Sequence, residues 1–385
     1  ILMPRGQGLT ALTDERRYIM VSKKKLAIGG VAVVVVGGVV AGMMNSNKDT
    51  DKKHFTVAMV TDVGGVDDKS FNQSAWEGLK RWGKANHVTK GNKGYDYFQS
   101  KTAADFQTSF NQAVSQKFSM IAGIGYSLHD ATVATANKNP NTKFVLIDDV
   151  DTKRTKNVAS VMFRSEQSSY LVGVASATKA KELGLNSVGF VGGMHGNIID
   201  AFEAGYTAGV KSVDPNMKVD VQYADSFTDV AKGQMITNTM IAKGEKVIFQ
   251  ASGAVGNGVF TATKEANSKV ANDSKDKVWV SGVDMDQTDM GNYTDANGKK
   301  VNFVLTNSLT NVGRGLELIA KQAQDGKFPG GKTTAYDLKE GGVGITTKNL
   351  NDSEKKATDK AKQDIEDGKI KVPNHPAGSD YNQQF

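Results

Sequence analysis

Short apolar runs alternate with longer amphipathic stretches along the chain from Phe55 onward. The runs have the length of buried strands, and the stretches between them, about 10 to 20 residues long, repeat apolar residues at helical spacing. Strands alternating with helices predict parallel, doubly wound sheets and an α/β fold. The predicted strands are 55–60, 95–98, 120–123, 143–147, 158–162, 187–191, 218–223, 246–250, 278–283 and 301–305, and clear examples of the helices are 103–115, 168–180, 201–213 and 230–241.

The alternation divides into two blocks, 55–162 and 187–283, of similar length and rhythm. Two similar lobes with a cleft between them are the simplest arrangement that this repetition predicts. After the second block, 352–369 is rich in charge and carries apolar residues every fourth position, which indicates an amphipathic C-terminal helix.

The loop after the first predicted strand is the most informative stretch of the sequence. It carries glycines and aspartates and then Ser70-Phe-Asn-Gln73, which fits a capping box that starts a helix. In open α/β sheets, ligands bind at such loops, beyond the carboxyl ends of the strands. The side chains expected at the mouth of a site are Asp62, Asp67, Asp68, Phe71 and Asn72.

A purely structural interpretation of this loop stays open. Phe71 is in helical register with Ala75 and Leu79, so its ring belongs equally well to a core. Aspartates before a helix often serve only to cap it or to interact with its dipole.

The N-terminal region differs in character from the rest. Residues 1–25 read as a tail with a basic flank at Lys23–Lys25, and 26–44 contain no charge. The length of this run is intermediate between that of a signal peptide's apolar core and that of a membrane span, ~20 residues. The basic flank predicts an inside N-terminus, with all that follows outside, and 45–53 reads as a polar linker.

Composition and motifs exclude several classes of function. The 385 residues include no cysteine, so disulfides, thiolate metal sites and cysteine nucleophiles are excluded. Gly125-Tyr-Ser-Leu-His129 lacks the second glycine of a nucleophile elbow. The five histidines show no metal-ligand spacing. We expect no cofactor and no metal, and since the +7 charge is spread along the chain, we expect membrane-surface affinity rather than nucleic-acid binding.

Several motifs together resemble those of the basic membrane protein family, the purine nucleoside receptor lipoproteins that serve ABC importers as substrate-binding proteins. The resemblance covers roughly residues 54–374. Besides the loop at 61–83, it rests on Gly123-Ile-Gly-Tyr126 with Asp130, Phe144-Val-Leu-Ile-Asp-Asp149, Gly189-Phe-Val-Gly-Gly193, Phe202-Glu-Ala-Gly-Tyr206, Ser226-Phe-Thr-Asp229 and Gly282-Val-Asp-Met-Asp-Gln287.

The resemblance implies a type I periplasmic-binding-protein fold whose chain passes between the lobes more than once. The first lobe is then expected to comprise about 54–163 with part of 284–345, and the second about 164–283 with the remainder, before a tail at 375–385. It also implies a non-enzymatic extracellular protein, held at the membrane or in part released, that hands a small molecule to an ABC transporter permease.

The family's ligand-contacting residues map onto individual positions of this chain. The resemblance implies that Phe71 and Phe227 stack on the two faces of a purine, that Asp130 contacts the base edge, and that Asp284 holds ribose hydroxyls. Asp62 matches the aspartate after the first strand, and Gly253 lies in a glycine-rich turn that lines the cleft.

Two positions depart from the family pattern. Thr310 stands where relatives carry a lysine that helps to bind the sugar, and Met43 stands where the family's lipid-bearing cysteine follows Val40-Ala-Gly42. The first departure weakens the nucleoside assignment and leaves a free base or a sugar as competing ligands. Two competing functions also stay open: a ligand sensor on the same fold, and a nucleoside hydrolase with a metal at Asp62, Asp67 and Asp68.

Overall fold

A computed structural model describes residues 54–377 of the chain. Its fourteen strands in that range are β1 (Val57–Thr61), β2 (Tyr95–Phe98), β3 (Met120–Ile124), β4 (Lys143–Ile147), β5 (Val158–Phe163), β6 (Ser187–Gly192), β7 (Lys218–Tyr223), β8 (Val247–Ala251), β9 (Trp279–Asp284), β10 (Asn292–Thr294), β11 (Lys300–Asn302), β12 (Val304–Thr310), β13 (Thr333–Tyr336) and β14 (Val343–Ile345). Its nine α-helices in the same range are α1 (Phe71–Ala85), α2 (Phe106–Ser115), α3 (His129–Lys138), α4 (Ser165–Glu182), α5 (Asn197–Val213), α6 (Val230–Ala242), α7 (Gly256–Asn267), α8 (Val312–Gln324) and α9 (Asp352–Glu366).

Twelve of these strands form two six-stranded sheets, and β10 pairs with β11 in a small hairpin. The first sheet has the order β13-β5-β4-β3-β1-β2 and is parallel throughout. The second has the order β14-β12-β9-β8-β6-β7, with only β14 antiparallel to its neighbour. The predicted α/β fold with two doubly wound, mostly parallel lobes is confirmed.

Helices cover both faces of each sheet, which explains why the strands are continuous apolar runs. In β1, Val57 and Met59 face one core cluster while Ala58 and Val60 face another on the opposite side. This strand, which lies between β3 and the edge strand β2, is therefore buried on both faces, and its end opens into the loop at 62–70.

The chain crosses between the two sheets three times. The first crossing runs from β5 through α4 to β6, the second from β12 through α8 to β13, and the third from β13 to β14. Segment 284–345 is thus divided between the lobes. In the first lobe α8 lies close to α1, where a Cβ added to Gly78 would stand 2.2 Å from the Cα of Gly313.

The sequence pattern does not predict the shortest strands or every strand boundary of the structure. The strand predicted at 301–305 is split between β11 and β12, because Asn302 accepts a hydrogen bond from the backbone of Val304 at the junction. The sequence does not predict β10, β13 and β14, which are only three or four residues long. The C-terminal helix ends at Glu366 rather than at Lys369.

Within residues 54–377, no helix is both long enough and apolar enough to cross a membrane. The predicted tail at 1–25, the apolar segment 26–44, the linker 45–53 and most of the tail at 375–385 lie outside the described residues.

Candidate functional site

A cavity of about 300 Å³ lies between the two lobes. The first lobe lines it with segments that follow β1, β2, β3 and β4, and the second with segments that follow β6, β7 and β8 and with the ends of β9 and β12. This is the edge of parallel sheets at which ligands bind. Eight predicted site residues line it: Asp62, Asp68, Phe71, Asn72, Phe227, Gly253, Asp284 and Thr310.

Asp130 does not line this cavity, so the structure does not bring it together with the other predicted site residues. It lies exposed in the first turn of α3, beside a surface depression that His129 and Asp151 also line. The reason is a 3₁₀ turn at Tyr126–Leu128, which separates β3 from α3 and carries Asp130 away from the strand end. Tyr126 and Ser127 occupy the cavity wall in its place.

The start of α1 differs from the predicted capping box. Asp68, not Ser70, caps the helix: its Oδ1 accepts hydrogen bonds from the backbone N–H groups of Ser70 at 2.8 Å and Gln73 at 3.1 Å, and its Oδ2 accepts that of Asn72 at 2.9 Å. A carboxylate satisfies these amides and also favours the positive end of the helix dipole. The Ser70 hydroxyl is therefore free to donate to Asp284 of the second lobe.

Asp62 is held in place by its neighbours. Its Oδ1 accepts hydrogen bonds from the backbone of Gly64 at 2.8 Å and from the side-chain amide of Asn72 at 2.7 Å. Asn72 is 1% exposed and also donates to Asp68 at 3.0 Å. Burial raises the pKa of Asp62 to about 6 despite these donors.

Asp148 and Asp284 form a second pair of cavity carboxyls. Burial, more than the nearby charges, raises the pKa of Asp284 to about 7, and burial together with the Asp284 charge raises the pKa of Asp148 well above its usual range. Both residues adopt left-handed backbone angles, with φ of 62° and 64°, a strained conformation that clusters at functional sites. Asp148 was missed from the sequence, although it directly follows the apolar run of β4, which is a recognisable signal.

Phe71 and Phe227 lie on opposite walls, one in each lobe. Phe71 is half-buried and packs partly against the core of the first lobe, so its structural and its lining roles coexist. Phe227 lies against two glycines: a Cβ at Gly193 would stand 2.3 Å from its ring, and one at Gly253, whose φ is +60°, would stand 3.5 Å from its Cβ. Those glycines let the ring lie flat against the second lobe.

Thr310 is 1% exposed, and its hydroxyl lies beside the Asp284 carboxyl, whose pKa it acts to lower. Both residues line the cavity.

The ionisable side chains among the described residues that line the cavity are predominantly acidic. Four aspartates, Asp62, Asp68, Asp148 and Asp284, line the cavity, whereas no described lysine, arginine or histidine does. Such a wall accepts hydrogen bonds from neutral or cationic ligands and repels anions.

The carboxylates are not arranged as a metal site. Within 54–377, no group of three or more histidine, aspartate or glutamate side chains could hold a metal ion. Asp67 is exposed, and Asp62 and Asp68 are engaged with backbone amides, so the cluster that a metal-dependent hydrolase needs is not formed by these three.

Comparison with known proteins gives one family. A family model described as "ABC transporter substrate-binding protein PnrA-like" matches residues 55–375. An ABC transporter nucleoside-binding protein of Lactococcus lactis subsp. cremoris is 46% identical over 93% of this chain and 99% of its own length. A CD4+ T-cell-stimulating antigen of Listeria monocytogenes is 44% identical over 92% and 100%.

Among solved structures, an ABC transporter solute-binding protein of Aeropyrum pernix K1 has a TM-score of 0.71, covering 85% of this chain and 95% of its own. At 23% identity this likeness concerns the fold alone.

Proposed function

Because the chain belongs to the PnrA-like family of ABC transporter substrate-binding proteins, we propose that it binds a purine nucleoside between its lobes. Membership makes it a solute-binding component of a transporter, with a small-molecule ligand and a permease partner, rather than an enzyme. The nucleoside, the residues that contact it and the mode of membrane attachment are the proposal.

The observation that carries the proposal is the pairing of two phenylalanine walls with a lining of carboxylates. A purine ring between Phe71 and Phe227 gains stacking and apolar burial on both faces. Base N–H groups and sugar hydroxyls are donors, and the surrounding carboxylates accept them. A nucleoside carries no negative charge, which suits a cavity with four aspartates and no lining cation among the described residues.

The residues take distinct roles in this proposal. Asp62, oriented by Asn72, accepts from one edge of the ligand, while Asp284 and Thr310 on the other lobe face the sugar hydroxyls. Asp148 offers a further acceptor. The relative from Lactococcus, described as nucleoside-binding, supports this choice of ligand.

A free base is the second candidate, and Thr310 is the observation that favours it. A lysine at this position would offer three donors and a positive charge beside Asp284, whereas threonine offers one hydroxyl on a shorter arm. The sugar is thereby held by fewer charged contacts, and the purine alone retains its stacking.

We also propose that the protein works on the extracellular face of the membrane. The apolar segment 26–44 either holds it there or is removed on secretion, and Met43 in the place of a cysteine excludes a thioether-linked lipid. Fractionation with intact-mass measurement tests this: an acylated mature N-terminus would contradict it.

Titration calorimetry on the purified protein tests the ligand. Inosine, guanosine and adenosine are compared with hypoxanthine, ribose and guanosine 5′-monophosphate. We expect a nucleoside to bind best, and the monophosphate at least about tenfold more weakly, because its charge faces the aspartates. Hypoxanthine binding as tightly as inosine would select the free base as ligand, and binding of ribose without binding of any purine would refute both.

A further inference from the structure

The two lobes meet at the cavity through a pair of aromatic rings. Tyr126 follows β3 in the first lobe, and Phe227 follows β7 in the second. Their ring centroids are 6.4 Å apart and their planes are inclined by 69°, an edge-to-face contact. This arrangement is among the favourable ones for aromatic pairs.

Phe227 is fixed by its own lobe. Its ring lies over Gly193, where no side chain larger than hydrogen fits without displacement, and its carbonyl accepts the backbone N–H of Val255 at 3.3 Å. The ring therefore presents a rigid surface to whatever comes from the opposite lobe.

Neither burial in a hydrophobic core nor a hydrogen bond of its hydroxyl accounts for the position of Tyr126. It is 36% exposed, and no hydrogen bond among the described residues involves its hydroxyl. Gly125, with φ of +107°, turns the chain so that the 3₁₀ turn projects Tyr126 into the cavity wall near Asp62. Its one ring partner among the described residues is Phe227.

A contact between residues of opposite lobes exists only while the lobes are closed. Opening of the cleft separates the rings, so the pair stabilises the closed state relative to the open one. Polar contacts among the described residues also join the lobes, from Ser70 to Asp284, from Gln287 to the Lys69 carbonyl and from Ser74 to the Thr310 carbonyl, but the first uses a carboxylate that the ligand also needs. The aromatic pair can close the mouth without competing with the ligand for hydrogen bonds.

We propose that Tyr126 is a positioning residue that latches the first lobe onto Phe227 and thereby sets how long the ligand stays bound. The proposal rests on the nucleoside-binding function proposed above. The ring, and not the hydroxyl, provides the latch, because the contact is made by the ring edge and face.

Ligand release measured by stopped-flow displacement of guanosine tests the latch. Tyr126→Ala should release guanosine about twofold to tenfold faster, the range that corresponds to one aromatic pair, with little change in the association rate. Tyr126→Phe keeps the ring and should release it at the wild-type rate. Met235→Ala removes another exposed apolar side chain, at 60% exposure on α6, and is the control for non-specific effects.

A second measurement reports on the latch without any ligand. Since the sequence has no cysteine, spin labels can be placed at Gln112→Cys in α2 and Lys264→Cys in α7, both exposed and in different lobes. Double electron–electron resonance should show longer lobe-to-lobe distances in the ligand-free Tyr126→Ala protein than in the parent or in Tyr126→Phe.

The outcomes separate the two proposals. If the parent protein binds no nucleoside but Tyr126→Ala lengthens the distances, the ligand is wrong and the latch stands. If guanosine binds, and Tyr126→Ala changes neither its release nor the distances, the latch is refuted and the proposed function stands. A release rate raised equally by Tyr126→Phe would also overturn it, because the hydroxyl would then be responsible.

Discussion

Replacement of Gly193 by alanine should weaken nucleoside binding although it removes no group from the cavity. The added Cβ would lie 2.3 Å from Cε1 and 2.5 Å from Cδ1 of the Phe227 ring. Ordinary contact begins at 3.4 Å, so the ring must retreat by about 1.1 Å. Gly193 does not have a positive φ, so the backbone itself accepts alanine.

The size of the effect follows from what Phe227 contributes. Stacking of a base on an aromatic side chain is worth about 1–3 kcal/mol, which corresponds to a factor of about 5 to 150 in the dissociation constant. Gly193→Ala should lose most of this amount, and Phe227→Ala all of it. The double variant should bind no more weakly than Phe227→Ala, because both substitutions remove the same interaction.

Calorimetry with guanosine measures all three variants beside a matched control. Gly344 lies in β14 of the same lobe, where an added Cβ would meet nothing within 4 Å, so Gly344→Ala should bind like the parent. If Gly193→Ala binds guanosine normally, or if the losses in the double variant add, Phe227 does not stack on the ligand.

Four further predictions concern other residues that line the cavity. Phe71→Ala should weaken guanosine binding by about 1–3 kcal/mol in calorimetry, and parent affinity would show that this ring serves only the core. The pKa values of Asp62, about 6, and Asp284, about 7, predict that these carboxyl groups lose their protons when hydrogen-bond donors of the ligand bind to them. Affinity should therefore rise with pH through that interval, as calorimetry in buffers of different ionisation enthalpy would show, and Asp284→Asn should flatten the rise. For Asp62 and Asp284, the pKa in the folded protein is higher than the pKa in the unfolded chain. The stability of the unliganded protein to urea should therefore fall as the pH rises from the unfolded-state pKa through 6 to 7. A stability that stays constant or rises would contradict the argument that burial raises these pKa values. Thr310→Lys should tighten inosine binding about tenfold or more through a charge-assisted contact beside Asp284 and leave hypoxanthine unchanged; equal affinities for inosine in both proteins would mean that the sugar is held elsewhere.

The strands that the sequence revealed are those that helices cover on both sides. The apolar runs 57–60 of β1, 120–124 of β3 and 144–147 of β4 are uninterrupted, because a polar side chain would not reach solvent there. The centre of β12 is buried too, yet it reads Thr306-Asn-Ser308, and its polar side chains are satisfied by distant residues, such as the Thr346 carbonyl that accepts from Thr306. Such pairing is set by tertiary structure and leaves no periodic trace in the sequence.

The residues that line the cavity could likewise be predicted only in part from the sequence. A loop that leaves a strand end directly, as at Asp62 and Asp284, could be assigned to the cleft from its position after an apolar run. Asp130 could not, because the 3₁₀ turn before α3 changes the direction of the chain, and no pattern in Tyr126–Leu128 announces it. The exchange of Ser70 for Asp68 as the helix cap has a similar cause: Ser70 has a partner in the other lobe, 214 positions away.

The position of β13 in the first sheet has a consequence for folding during synthesis. This strand completes the sheet of the first lobe by pairing Thr333 with Ser160, so β5 remains an unpaired edge until residues 164–332 have left the ribosome or an export channel. Throughout that interval its backbone amides and carbonyls are open to strands of other nascent chains. A chain that stops before Thr333 would carry every residue up to Phe163 and yet lack a finished first lobe. The sheet of the first lobe is therefore completed only late in synthesis, when residues 333–336 reach the β5 edge.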